Sequence, residues 1–188
     1  MLVRCLLAYL TLASTTSIAA AELSVVPLPT EVESTGGAAL VLPNAITAKS
    51  PPISGWSDHL EIFGEHLGRM TAGKHQLQTS DEKDSLLLIS HASKLSPEAY
   101  TLSIDQTQIQ IEASSIKGLA HATATLLQLI GGNDTDSIPA MRIEDAPELS
   151  YRNFMIDMGR NPHSVALLKE TIDLLWFYKI DSVQLHLT

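Results

Sequence analysis

Between Phe154 and Leu187 the chain reads strand, helix, strand, and no other stretch restricts the fold as much. Phe154 to Met158 is a strand run. Asn161-Pro162 reads as a helix start, with proline at the first helical position, where a missing N–H costs nothing. Val165, Leu168, Ile172, Leu175 and Trp176 then recur on one helical face, and Lys169 is spaced to pair with Asp173 one turn on. Ser182 to Leu187 forms a second strand. Strands joined through a crossover helix are parallel. Two parallel strands and one helix leave a sheet edge open and an apolar face uncovered. Either an upstream sheet adopts these strands or they begin a larger α/β domain, and the second is the expectation.

Upstream, residues 22 to about 140 read as one compact layer of sheet and helices. Val26-Pro27-Leu28-Pro29 is extended, because each proline pushes its predecessor out of the helical region. Ala39–Leu42 and Ala45–Ala48 read as short strands around Pro43-Asn44. From Ser57, apolar residues at Leu60, Phe63, Leu67 and Met70 form a helical stripe that stops near Gly73. Leu86-Leu87-Leu88-Ile89 is an unbroken apolar run, as expected of a strand buried on both faces. Tyr100, Leu102 and Ile104 alternate with polar residues, as do Ile109 and Ile111 after Asp105-Gln106, which predicts a hairpin. A second helix is predicted from about Lys117 to Ile130, stopping at Gly131-Gly132. The sheet is expected to be antiparallel or mixed, with two helices.

The remaining segment, residues 1–21, reads as an address. Arg4 precedes the apolar run Cys5 to Ala13, and Ala19-Ala20-Ala21 fits a cleavage site before Glu22. Cleavage there would remove Cys5, the only cysteine, so no disulfide or thiol catalyst is expected in the mature chain. The expected destination is the periplasm or the extracellular medium, with no membrane anchor once the leader is gone. Apolar residues make up 45% of the 188, enough to bury a core, and the formal charge is −9 with no Lys/Arg cluster. A nucleic-acid partner, which demands a basic face, is excluded on that ground.

Candidate chemistry is sparse. His59 and His66 share a helical face near Glu61 and Glu65, but no zinc spacing surrounds them, and solvated surface histidines are the expectation. No metal site or cofactor is expected. His163-Ser164 lacks the glycine elbow of a serine hydrolase, and Asn133-Asp134-Thr135 is a formal glycosylation sequon. Arg152, Asp157, Arg160 and His186 flank or end the C-terminal strands. In barrels built from such units the C-terminal strand ends carry the active site, and Asp157 and His186 occupy those ends. A structural ion pair between Asp157 and Arg160 is an equally good reading. Arg152 and Asp157 have opposite parity along a regular strand, so both can line one pocket only if a bulge intervenes or the strand ends early.

The run Arg142-Ile143-Glu144-Asp145-Ala146-Pro147 followed by Tyr151-Arg152-Asn153-Phe154-Met155-Ile156-Asp157-Met158-Gly159-Arg160 resembles the start of the catalytic domain of family 20 glycoside hydrolases, the β-N-acetylhexosaminidases. Tyr178-Lys179-Ile180-Asp181-Ser182-Val183-Gln184-Leu185-His186-Leu187-Thr188 is similar to that family's next helix end and strand. Pro27-Leu28-Pro29, Tyr100 to Ile104 and Gly118-Leu119-Ala120 resemble parts of its non-catalytic N-terminal domain. The chain departs from the family pattern at Asn153, where glycine is usual, and at Asn161, where histidine is usual.

After the leader read over 1–21, the resemblance implies an α/β fold: an N-terminal sheet-and-helix domain over 22–140, and over 141–188 the first βαβ unit of a TIM (β/α)8 barrel. Such a barrel takes roughly 250 residues, so the sequence is expected to be the N-terminal part of a longer enzyme. The implied activity is release of terminal N-acetylhexosamine from oligosaccharides or glycoconjugates, with the substrate's own acetamido oxygen as nucleophile. Arg152 matches the family arginine that binds hydroxyls of the terminal sugar, and Asp157 and His186 are further candidates beside it. The family's Asp-Glu catalytic pair lies beyond the matching residues, so the 188 residues alone are expected to be inactive. A short secreted carbohydrate-binding or accessory module is the alternative.

Overall fold

The computed structural model describes residues 23–132 and 135–188. The expected leader, Cys5, and the Asn133 and Asp134 of the sequon lie outside the described residues.

In chain order the elements are β1 (Glu31–Ser34), β2 (Leu40–Val41), β3 (Ala45–Lys49), α1 (Trp56–Met70), β4 (Gln76–Thr79), β5 (Leu87–His91), β6 (Tyr100–Ile104), β7 (Ile109–Ala113), α2 (Ile116–Gly131), β8 (Ser137–Ile138), β9 (Met141–Asp145), β10 (Asn153–Asp157), α3 (Val165–Phe177) and β11 (Ser182–His186). Seven strands form one mixed sheet in the order β1-β9-β6-β7-β5-β3-β4. The half from β1 to β7 is antiparallel and includes the expected β6–β7 hairpin. The half from β7 to β4 is parallel, with α1 making the crossover between β3 and β4. β2 leaves this sheet and pairs with β8 instead.

Burial alternates along the strands. Leu87 and Ile89 of β5 are buried while Leu86 and Leu88 are only partly covered. The expectation that this run is buried on both faces is therefore corrected: the helices cover one face of the sheet only. Ile46, Leu87, Leu102, Ile109, Ile111 and Ile143 from that face meet Trp56, Leu60, Phe63 and Leu67 of α1 and Leu119, Leu126 and Leu127 of α2 in a single core.

α2 is buried along most of its length, because the sheet lies on one side of it and α3 on the other. Its polar side chains survive there by being paired. Gln128 Oε1 accepts from Val26 N–H (2.6 Å), and Nε2 donates to the carbonyls of Val26 (2.9 Å) and Phe177 (2.8 Å). Thr123 donates to Leu119 O, and Thr125 pairs with the Tyr100 hydroxyl at 2.7 Å. The first turn of α2 lies so close to the chain before β6 that a Cβ on Gly118 would stand 2.5 Å from the Ala99 carbonyl oxygen.

β10, α3 and β11 make the expected parallel βαβ unit, as a separate two-stranded sheet that the seven-stranded one does not adopt. Three details differ from the sequence reading. α3 begins at Val165 rather than at Asn161-Pro162, because the Ser164 hydroxyl caps it by accepting from Leu167 N–H at 3.2 Å. Of the apolar face expected on α3, Leu175 is buried but Val165 and Ile172 are exposed. Asp173 is bound by Arg69 of α1 at 3.1 Å rather than by Lys169, since the face carrying it turns toward the N-terminal domain. Met141–Asp145, read from sequence as the opening of the second segment, is β9, an inner strand of the seven-stranded sheet.

Gly118→Ala is expected to lower the unfolding free energy by about 1–3 kcal/mol, as overpacking against a fixed carbonyl does. Urea denaturation followed by circular dichroism checks this through a lower midpoint at unchanged slope; an unchanged midpoint would mean the close approach is not needed.

Candidate functional site

The two ends of the β10–β11 pair have opposite characters. At the C-terminal end, Asp157 and His186 are register partners. Asp157 Oδ1 accepts from Arg160 N–H at 3.0 Å and Oδ2 from Arg160 Nε, so the ion pair considered from sequence is formed. The Arg160 backbone and side-chain donors, with His186 nearby, hold the Asp157 carboxyl below the usual carboxylate range. Arg160 itself is 86% exposed. The turn after β10 is tied to β11, because Met158 and Gly159 N–H both donate to the His186 carbonyl (2.8 and 3.1 Å). A Cβ on Gly159 would sit 3.0 Å from the backbone of Thr188, so glycine keeps the two strand ends in contact.

At the N-terminal end the pair is bolted to the N-terminal domain. Arg152 immediately precedes β10. Its Nε donates to Lys179 O (2.8 Å), and one terminal nitrogen to Glu98 Oε2 (3.0 Å) and Leu149 O (2.6 Å). The other terminal nitrogen faces His121 Nε2 (3.5 Å) and Asp181 Oδ2 (3.7 Å). Lys117 completes the cluster with bonds to Glu98 (2.9 Å) and Asp181 (3.4 Å). Burial would push the Glu98 and Asp181 carboxyls up, but Lys117 and Arg152, joined at Asp181 by the Ser182 hydroxyl, hold both below the ordinary range.

Beside this cluster the Lys179 ammonium donates to Asp145 Oδ2 (2.8 Å) and to the Tyr100 hydroxyl (3.1 Å), and Tyr100 donates to Asp145 Oδ2 (3.0 Å). Burial lowers the Lys179 pKa despite the Asp145 charge; burial followed by that same charge pushes the Tyr100 phenol well up. The parity conflict between Arg152 and Asp157 is thus settled by position: they lie at opposite ends of one strand. Arg152 lines a cleft of about 500 Å³ with Pro27–Thr30, His121 and Ala146–Leu149, remote from Asp157. Arg152, for which the resemblance implied a sugar contact, is held by this interdomain fork in the structure. A depression of about 600 Å³ elsewhere is lined by residues of 48–61 and 79–81, none from β10, α3 or β11.

His59 and His66 are not solvated, as the sequence suggested, but flank Trp176 of α3 with ring centroids at 5.9 and 4.8 Å. His59 Nε2 is paired with the Thr123 hydroxyl at 2.8 Å. Burial, then the neighbouring His66, lowers the His59 pKa to about 4. Among the described residues no group of three or more His, Cys, Asp or Glu is placed to hold a metal, and no helix is long and apolar enough to cross a membrane.

This division into a sheet domain and a docked parallel unit coincides with two matches to known families. Residues 22–146 match domain 2 of glycosyl hydrolase family 20, and residues 149–188 match that family's catalytic domain. The chain belongs to glycosyl hydrolase family 20. It is 35% identical over 170 residues to a beta-hexosaminidase of Vibrio furnissii, covering 90% of this chain and 27% of that protein. To a beta-N-acetylhexosaminidase of Cellulomonas fimi it is 32% identical over 176 residues, covering 89% and 35%. Among solved structures, the family 20 exo-β-N-acetylglucosaminidase of Vibrio harveyi in complex with N-acetylglucosamine superposes with a TM-score of 0.77 at 28% identity, over 92% of this chain and 26% of that one. The chain thus spans between about a quarter and a third of the length of these relatives.

The family resemblance read from sequence is confirmed, as is the mixed α/β architecture. Sequence reasoning missed Lys179, Asp145, Tyr100 and Glu98. One signal was available: Lys179 is the lone charge in the apolar run Leu174 to Ile180, and a charge so placed needs a buried partner.

The His59 shift has a pH signature. Its folded-state pKa is depressed, so the unfolded chain takes up the proton first. Stability is full above the ordinary value of 6.5 and falls as pH drops from there to about 4. The contribution is on the order of 3 kcal/mol. His59→Gln is expected to flatten that part of the stability–pH curve in urea titrations between pH 7 and 4; an unchanged slope would count against a buried neutral imidazole.

Proposed function

We propose that these residues form the N-terminal domain and the opening strand–helix–strand of an exported β-N-acetylhexosaminidase, which hydrolyses terminal N-acetylhexosamine from oligosaccharides or glycoconjugates with retention. The observation that carries this reading is the meeting of Asp157, Arg160 and His186 at the C-terminal ends of two parallel strands whose other ends are bolted to the N-terminal domain. In parallel α/β barrels, substrate sits over the C-terminal strand ends, and the opposite face serves stability. The names of the relatives, and the N-acetylglucosamine bound by the Vibrio harveyi enzyme, support the choice of sugar.

In substrate-assisted hydrolysis the 2-acetamido oxygen attacks the anomeric carbon while an acid protonates the leaving oxygen, and water then opens the cyclic intermediate. Asp157 is unsuited to be that acid, because its bonds from Arg160 keep it ionised. Its role in this reading is to orient Arg160, whose exposed planar guanidinium suits charge-assisted bonds to sugar hydroxyls. His186, paired with Asp157 across the strands, orders the same rim. The polarising carboxylate and the acid are assigned to later barrel strands, outside these residues.

The 188-residue polypeptide is expected to show no hydrolysis of 4-nitrophenyl N-acetyl-β-glucosaminide, and a polypeptide carrying the complete barrel to hydrolyse it. Turnover by the 188 residues alone would overturn the assignment. In the complete enzyme Arg160→Ala is expected to lower kcat/KM by about 10- to 100-fold, the worth of a charged hydrogen bond. Export through a leader over 1–21 is part of the proposal, and sequencing the mature N-terminus is expected to find Glu22 first.

A further inference from the structure

α3 ends in a Schellman motif. Lys179 N–H donates to Trp176 O (2.9 Å) and Ile180 N–H to Leu175 O (2.9 Å), which requires Lys179 to adopt a left-handed conformation, φ 59°. Glycine is the usual residue there, because a Cβ is disfavoured in that region. Lysine therefore occupies the position against the local backbone preference. It also places its ammonium, 6% exposed, against Asp145, 10% exposed, with Tyr100 as the third member. Asp145 has further partners: its Oδ1 accepts from the Thr30 N–H and hydroxyl, both at 3.1 Å. A buried lysine with a fixed counter-ion resists displacement, since withdrawal of either group strands the other charge away from water.

Lys179 comes from the part of the chain that matches the catalytic domain, and Tyr100 and Asp145 from the part that matches domain 2. We infer that Lys179 is the lock by which the N-terminal domain captures the catalytic strands, and that the position requires its cation and reach rather than a helix-terminating residue. The lock holds the chain three residues before β11 begins, while Arg152, bonded to the Lys179 carbonyl, holds the residue immediately before β10. The N-terminal domain then acts as a built-in template that sets the register of the first two strands. That this register also fixes the rim of Asp157, Arg160 and His186 rests on the function proposed above; the lock itself does not.

The test is hydrogen exchange of the two tryptophan indole N–H groups, measured by NMR on the full chain without substrate. The Trp176 indole N–H donates to Ala120 O across the domain seam (3.1 Å), whereas Trp56 lies in the core of the N-terminal domain. In Lys179→Gly, Trp176 is expected to exchange at least tenfold faster with Trp56 unchanged. If position 179 serves only to end α3, the same substitution relieves the backbone and leaves Trp176 exchange equal or slower, which would overturn the inference. Should Lys179→Gly not fold, Asp145→Asn decides: faster Trp176 exchange supports the lock, and unchanged exchange overturns it. Since no activity is read, failure of the hexosaminidase reading would leave these rates untouched.

Discussion

The buried contact of Lys179 with Asp145 and Tyr100 is the interaction on which the placement of the C-terminal unit depends. β10, α3 and β11 share no strand pairing with the seven-stranded sheet, so no ladder of backbone hydrogen bonds fixes their position. What does is a set of side-chain bonds from elements far apart in sequence: Lys179 to Asp145 and Tyr100, Arg152 to Glu98, Trp176 to Ala120 O, Gln128 to Phe177 O. Each is directional and each is at least partly buried, so the dock has one geometry. Apolar contact alone would leave α3 free to slide along α2.

α2 is the mechanical centre of this arrangement. It meets the sheet on one side and α3 on the other, and it carries Thr123, Thr125, His121 and Gln128 into the interior. All four are bonded, and among the described residues no buried side-chain nitrogen or oxygen lacks a partner. A helix that pairs its polar groups in several directions transmits position from sheet to docked unit. The cost is sensitivity, since displacement of α2 strands polar groups on both sides.

The proposed function rests on the polarity of the strand pair. The N-terminal ends of β10 and β11 are consumed by the interdomain network, and the C-terminal ends present Asp157, Arg160 and His186. The same chain direction that makes the strands parallel separates the structural charges from those available to a ligand. Arg152 and Arg160 stand on either side of one five-residue strand. Burial distinguishes them: Arg152 is held among five protein partners, and Arg160 is largely in solvent.

Much of this was legible locally. The β6–β7 hairpin followed from alternation around Asp105-Gln106, α1 and α2 from their apolar spacing, and the parallel βαβ unit from the short crossover, because period and turn chemistry are properties of neighbouring residues. The family, too, was readable from the segments around Arg152, Asp157 and His186. Apart from the start of α3, set by its local Ser164 cap, several errors arose where a partner distant in sequence decided the outcome. β9 joined the seven-stranded sheet because β1 and β6 flank it; Asp173 turned to Arg69 of α1; His59 was buried, and His66 partly covered, beside Trp176. The sequence by itself determined the two helices of the N-terminal domain, the β6–β7 hairpin, the closing strand–helix–strand and the kind of fold they make, since hydrophobic period and chain connectivity are local. Only the tertiary structure decided which arginine faces solvent and which charge is locked away, since burial and pairing there bring in residues from other elements, as Glu98 for Arg152 and Tyr100 for Lys179.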